Sequence, residues 1–112
     1  MSEYNPDAWV IIELDGSAVK DGPIRKVLGG WYGGYLGSDS WRASSGIEKI
    51  IDADTYWEVH NYSGSIYRCA KNCQRTTGLT ASVYAGFVKQ AAERPEGELT
   101  IRIVPIAEIP IG

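Results

Sequence analysis

At 112 residues the chain suffices for one domain with a core that needs no metal or disulfide staple. Its hydrophobic fraction of 44% and charged fraction of 22% are those of a globular domain, not of a disordered or fibrous chain, and no run of about 18 apolar residues is present to span a membrane. A net charge of −3 argues against nucleic acid, because phosphate binding needs several unopposed Lys or Arg side chains.

The N-terminal residues, MSEYNPDAW, lack the basic and apolar regions of a signal peptide, so a cytoplasmic location with reduced Cys69 and Cys73 is expected. Ala8–Leu14 is short, β-branched and apolar and ends at the Asp15-Gly16 turn signal, which predicts a buried strand. After a turn at Asp21-Gly22-Pro23, Ile24–Leu36 reads as a strand interrupted by Gly29-Gly30 and Gly33-Gly34, where bulges, bends or close backbone approach are expected. Val27–Ile47 holds six of the 13 glycines and two of the four tryptophans. Ser38–Ser40 reads as a turn and Trp41–Ala43 as a short strand. Ile47–Asp52 fits either a strand or one helical turn, and Asp52-Ala53-Asp54 a turn.

Thr55–Asn61 alternates and is rich in strand formers, Tyr62-Ser63-Gly64 turns, and Ser65–Ala70 returns. This hairpin places Tyr56, Glu58 and His60 on one face and Trp57, Val59 and Asn61 on the other, with Ile66 and Arg68 opposed to Tyr67 and Cys69. A helix is predicted over about residues 79–94. Leu79, Val83, Phe87 and Ala91 form its apolar stripe, widened by Tyr84 and Val88; Thr77 or Thr80 is its N-cap, and Pro95 stops it. Gly86 in the helix implies close packing on a sheet. Leu99–Ile109 is a long strand that lies at an edge or breaks at Pro105. The pattern predicts a single α+β domain over residues 1–112. Its curved, mostly antiparallel sheet of about five or six strands packs against one helix followed by a final strand. Residues 1–7 and 110–112 are the expected mobile tails.

Little in the sequence points to catalysis. His60 is the only histidine; it lies on the strand paired with that of Cys69 in the predicted hairpin, which leaves a small hydrolase using Cys69 and His60 as an alternative. Cys69-x-x-x-Cys73 lacks the usual zinc spacing, so no metal site is assigned. The glycine-rich stretch contains neither G-x-x-x-x-G-K-[ST] nor G-x-G-x-x-G, so no nucleotide or other cofactor is assigned. Asp39, Asp52, Asp54 and Glu58 offer a carboxylate pair, but turn chemistry accounts for the aspartates. Arg68, Lys71 and Arg75, with Lys20, Arg25 and Lys26 elsewhere, read as solvated surface. Surface recognition remains. Trp31, Tyr32, Tyr35 and Trp41 crowd a short glycine-rich stretch, and Arg42, Tyr62 and Arg68 extend them with residue types that dominate interface energies. These seven residues form the expected partner-binding surface.

The segments WVIIEL, VLGGWYGGYLGSDSWRASSGI and YWEVHNYSGSIYRCAKN resemble small proteins of bacterial viruses and prophages. The likeness rests on Asn61, Ser63, Gly64, Ser65, Tyr67 and Cys69 and on the aromatic–glycine stretch, and it carries no catalytic residues with it. It implies a non-enzymatic accessory protein that binds a host or defence protein stoichiometrically, as anti-CRISPR inhibitors do. A self-associating assembly protein, dimerising through the edge of the last strand, is the other non-catalytic alternative. Trp and Tyr platforms also bind sugars, which makes a carbohydrate-binding module a further rival.

Overall fold

β2 sets the architecture. In the computed structural model, which describes residues 2–20, 22–33 and 37–109, Ala8–Asp15 forms β2, and its first six residues are all buried. A strand apolar on both faces must be covered on both, and here one face meets a second sheet and the other a helix. The remaining strands are β1 (Glu3–Tyr4), β3 (Ile24–Trp31), β4 (Ser40–Ala43), β5 (Ile47–Asp52), β6 (Tyr56–Asn61), β7 (Ile66–Ala70) and β8 (Thr100–Val104), with α1 (Gly78–Ala92) between β7 and β8. They form two open four-stranded sheets, ordered β1-β7-β6-β5 and β4-β3-β2-β8. The α+β class is as the sequence predicts, but the expected single sheet is two, with eight strands among the described residues.

Alternation along β2 divides the core. Trp9 and Ile11 point between the sheets, where they meet Val27, Ile50, Val59, Tyr67, Cys69 and Val104. The Trp9 indole is fully buried, and its Nε1–H donates to the Ala70 carbonyl at 2.8 Å, which ties the two sheets together. Val10 and Ile12 point the other way and pack with Leu28 under Val83, Tyr84 and Phe87 of α1. The same alternation places Glu13 on the inter-sheet face. Its buried carboxylate accepts from Arg25 Nε at 3.0 Å and Arg102 Nε at 3.2 Å, its cross-strand neighbours on β3 and β8. The buried charge is thus paired on both sides.

The β6–β7 hairpin forms with the faces the sequence predicts: Val59, Asn61, Tyr67 and Cys69 are buried, and Glu58, His60 and Arg68 are half-exposed. Ile47–Asp52 resolves as a strand, with a bulge between Ile47 and Lys49 on its edge. The last strand ends at Val104; Pro105 breaks it, and a 3₁₀ turn over Ile106–Glu108 tucks Ile106 and Ile109 into the inter-sheet core. Residues 2–7, expected among the mobile parts, lie along β7 and β3. Ile66 N–H donates to the Ser2 carbonyl at 2.9 Å and Asp7 N–H to the Gly30 carbonyl at 2.9 Å. Residues 110–112 are outside the described range.

Of the roles expected for Gly29-Gly30, the structure shows close approach and neither bulge nor bend, whereas Gly86 lacks its expected role. Gly29 and Gly30 continue β3 without a bend, paired with Trp9 and Ala8 on one side and Arg42 and Trp41 on the other. Their task is close approach. A Cβ on Gly29 would lie 3.0 Å from Pro6 Cβ, and one on Gly30 would lie 2.8 Å from Thr77 Cγ2 and 2.9 Å from Thr80 Cγ2. Those threonines are the helix N-terminus. Thr77 Oγ1 accepts from Thr80 N–H at 3.0 Å, while Thr80 Oγ1 accepts from Thr77 N–H at 2.7 Å, a reciprocal capping box. Gly86, by contrast, is exposed, and a Cβ there would meet nothing within 4 Å. It does not seat the helix on the sheet.

Two substitutions separate these roles. Gly30→Ala forces a methyl into two rigid, β-branched neighbours and is expected to destabilise by about 1–3 kcal/mol. Gly86→Ala removes a helix-interior glycine at an open site and is expected to stabilise by roughly 0.5–1 kcal/mol. Urea unfolding midpoints of the two variants should therefore move in opposite directions from the parent.

Candidate functional site

Of the seven residues expected to form one surface, the six that the structure describes are spread over several faces. Pairing of Gly30 with Trp41 and of Gly29 with Arg42 sends those two neighbours to opposite sides of the second sheet. Trp41 lies on the helix side, edge-on to Phe87 with ring centres 5.9 Å apart. Trp31 is half-buried against the inter-sheet core, and its Nε1–H donates to the Asn5 carbonyl at 3.0 Å. Tyr32 is exposed; its N–H donates to Asp7 Oδ2 at 2.8 Å. A hydrogen bond to the Tyr32 side chain, with a second to Cys73, holds the Arg75 guanidinium above its usual pKa range. Arg68 stands on the outer face of the first sheet and pairs with Glu3. Tyr35 lies outside the described residues. Arg42 and Tyr62 are the two that come near a common feature.

That feature is a pair of hollows meeting at Ser45, where the chain crosses from β4 to β5 and so from one sheet to the other. The first hollow, about 370 Å³, is lined by Arg42, Tyr4 and Tyr67 and by serines from three separate segments, Ser2, Ser44–Ser45 and Ser63–Ser65. The Arg42 guanidinium carbon sits 4.7 Å from the centre of the Tyr4 ring, a cation–π contact, and the Tyr4 and Tyr67 ring centres are 4.9 Å apart. Burial pushes the Tyr67 phenol up to about 12, against a smaller opposing pull from Arg42, so the hydroxyl keeps its proton throughout the neutral range. Ser45 Oγ donates to Ser63 Oγ at 2.9 Å, and the Ser63 and Ser65 hydroxyls, either of which can donate, are hydrogen-bonded at 3.2 Å. Asn61 Nδ2 donates to the Ser65 carbonyl at 3.1 Å and to Ser65 Oγ at 3.2 Å and holds the β6–β7 turn in place.

The second hollow, about 550 Å³, is lined by Lys20, Ile24, Arg25, Lys26, Gly46, Ile47 and Tyr62. Tyr62, at the tip of the hairpin, is 75% exposed, and Ile24 beside it is 38% exposed. The tyrosine is held by its backbone: its N–H donates to the Gly46 carbonyl at 2.9 Å. Its ring leans on Gly46, where a Cβ would come within 3.4 Å of Tyr62 Cδ2. Sequence reading picked out Arg42 and Tyr62 as surface residues but took the serines for turn residues only. The sign it lacked is their convergence, since the three serine segments are far apart along the chain.

The catalytic pairings weighed from the sequence are not assembled. Cys69 faces the inter-sheet core, fully buried, whereas His60 is on the outer face of the same sheet. His60 Nε2 instead meets Glu58 Oε1 at 2.6 Å. Burial pushes the Cys69 thiol far above its ordinary range, against thiolate formation. The carboxylates have local partners: Asp39 Oδ1 accepts from Gly33 N–H at 2.9 Å, and Asp52 Oδ1 accepts from Asp54 N–H at 3.0 Å and Lys71 Nζ at 2.6 Å. The Lys71 contact, first, and the Asp54 amide hold the Asp52 carboxyl below its usual range. Lys71 also lies 4.3 Å from the centre of the Trp57 ring. Among the described residues no three His, Cys, Asp or Glu side chains converge as a metal cluster, and no helix is long and apolar enough to cross a membrane.

Burial of Cys69 has a direct chemical readout. A thiol reagent added to the folded protein is expected to modify Cys73 alone, and in Cys73→Ser to modify nothing until denaturant exposes Cys69; fast labelling of folded Cys73→Ser would contradict the placement. No protein-family model, curated protein or solved structure matches this chain.

Proposed function

We propose that this chain is a small non-enzymatic binding protein that acts by stoichiometric contact with another protein. The setting is the one its sequence resemblance implies: a phage or prophage accessory protein in the host cytoplasm, acting on a host or defence component as an inhibitor. The observation that carries the reading is Tyr62. A tyrosine 75% exposed at a hairpin tip, next to an exposed isoleucine, leaves apolar surface in water with no partner in the fold. Its backbone is anchored by a hydrogen bond to Gly46, beside which the ring rests, so docking has less backbone freedom to remove. Lys20 and Lys26 line the same hollow, so the surface suits a partner with an acidic rim around an apolar pocket, despite the net charge of −3 on the whole chain. The effect on the partner would be steric occlusion of whatever site Tyr62 and its neighbours cover.

The test compares tagged parent, Tyr62→Ala and Lys20→Glu/Lys26→Glu proteins in pull-downs from bacterial lysate at two salt concentrations. One partner in stoichiometric amount is expected with the parent. Tyr62→Ala should weaken it at least tenfold, or about 1.4 kcal/mol. The charge reversal should slow association most at low salt. Equal recovery by parent and Tyr62→Ala, with both folded, sinks this surface. No partner, together with a defined oligomer of the purified chain, moves the reading to self-assembly through the outer edge of β8, which pairs only with β2.

A further inference from the structure

The serine-lined hollow has a surplus of hydrogen-bond donors. Arg42 makes no ion pair or hydrogen bond among the described residues; its guanidinium rests on the Tyr4 ring and lines the hollow. Tyr67 is 1% exposed, lines the same hollow, and its hydroxyl has no hydrogen-bond partner among the described residues. The ring is buried, but the hydroxyl opens onto the hollow, where it can donate to whatever enters. Ser45, Ser63 and Ser65 line it with three hydroxyls joined by two hydroxyl–hydroxyl contacts. No Asp or Glu is among the lining residues. Its one charged lining side chain, Arg42, therefore faces no carboxylate of the chain's own in the hollow.

We propose that this hollow is a carboxylate-binding site, in which the Arg42 guanidinium forks onto the carboxylate while the Tyr67 hydroxyl and the lining serine hydroxyls donate to it. The charge count selects the ligand class. One guanidinium balances one negative charge, as on a carboxylate, whereas a phosphate dianion would leave one charge unbalanced in a half-enclosed site. At about 370 Å³ the hollow has room for more than the carboxylate group, and its hydroxyl lining favours a small polar body attached to it. A free hydroxy acid and the end of an acidic side chain share that chemistry. The site goes beyond the protein-contact reading and does not depend on it.

The experiment is an NMR titration of the intact ¹⁵N-labelled chain at constant ionic strength, following the Arg42 Nε–Hε signal and the Ser63–Tyr67 amides. The probes are sodium lactate, an end-blocked peptide with one central glutamate, and inorganic phosphate. Saturable shifts are expected with lactate or with the peptide; whichever saturates at lower concentration identifies the source of the carboxylate. Arg42→Gln should weaken binding at least tenfold and Arg42→Lys less, because the lysine keeps the charge and loses the fork. Tyr67→Phe should weaken binding several-fold while leaving the thermal midpoint of the unliganded protein unchanged, since its hydroxyl has no partner to lose. The proposal is overturned if neither acid saturates, if phosphate binds more tightly than both acids, if Arg42→Gln binds like the parent, or if Tyr67→Phe lowers the midpoint.

Discussion

The double-sided burial of β2 is the constraint from which the architecture follows. A strand with Trp9 and Ile11 on one face and Val10 and Ile12 on the other cannot lie at the surface of a two-layer domain. It has to be the middle of three layers. The hairpin of β6 and β7 covers one side and α1 the other, and the chain connects them in that order. The Trp9 indole then fixes the spacing between the sheets through one hydrogen bond to Ala70. A residue of that size leaves no freedom for the sheets to slide without opening a void.

Where β2 leaves the core, charge replaces apolar contact. Glu13 extends the inter-sheet face of β2 toward solvent, and Arg25 and Arg102 close on it from both flanking strands. The arginines are partly exposed, so solvent screens the trio; it secures register more than it adds stability. A shift of β8 by one residue would turn Arg102 to the opposite face and leave the carboxylate with half its donors. At the other end of the sandwich, β1 and β4 bring Tyr4 and Arg42 together, and the crossing at Ser44–Ser45 leaves the hollow that the serines line.

Local signals were readable wherever the deciding neighbours were close in sequence. The β6–β7 hairpin announced its alternation and its turn. The helix announced its stripe, its Thr77 cap and its proline stop, and it forms within two residues of the expected bounds. Signals that depend on distant partners were not readable. Gly29-Gly30 left bulge, bend and close approach open, because nothing in the segment reveals that Pro6 and the Thr77–Thr80 turn press on it from opposite sides. Trp31 and Trp41 looked like one patch because the chain brings them close, but pairing between β3 and β4 turns them to opposite faces. The serines of the hollow resemble ordinary turn residues one segment at a time. Arg42 was singled out correctly as a surface residue, yet its neighbours Tyr4 and Tyr67 were invisible without the parallel pairing of β1 with β7.

Among the described residues the two cores are unequal, ten buried residues between the sheets against three beneath the helix. Cooperative units open in order of how much they bury, so the helix layer is the part that detaches first while the sandwich, stitched by Trp9, stays closed. Such an opening bares Val10, Ile12 and Leu28, a β-rich apolar face that the closed protein never shows. The molecule therefore carries a hidden adhesive surface whose availability is set by the hold of one helix, and its tendency to aggregate on warming should follow detachment of that layer, ahead of global melting.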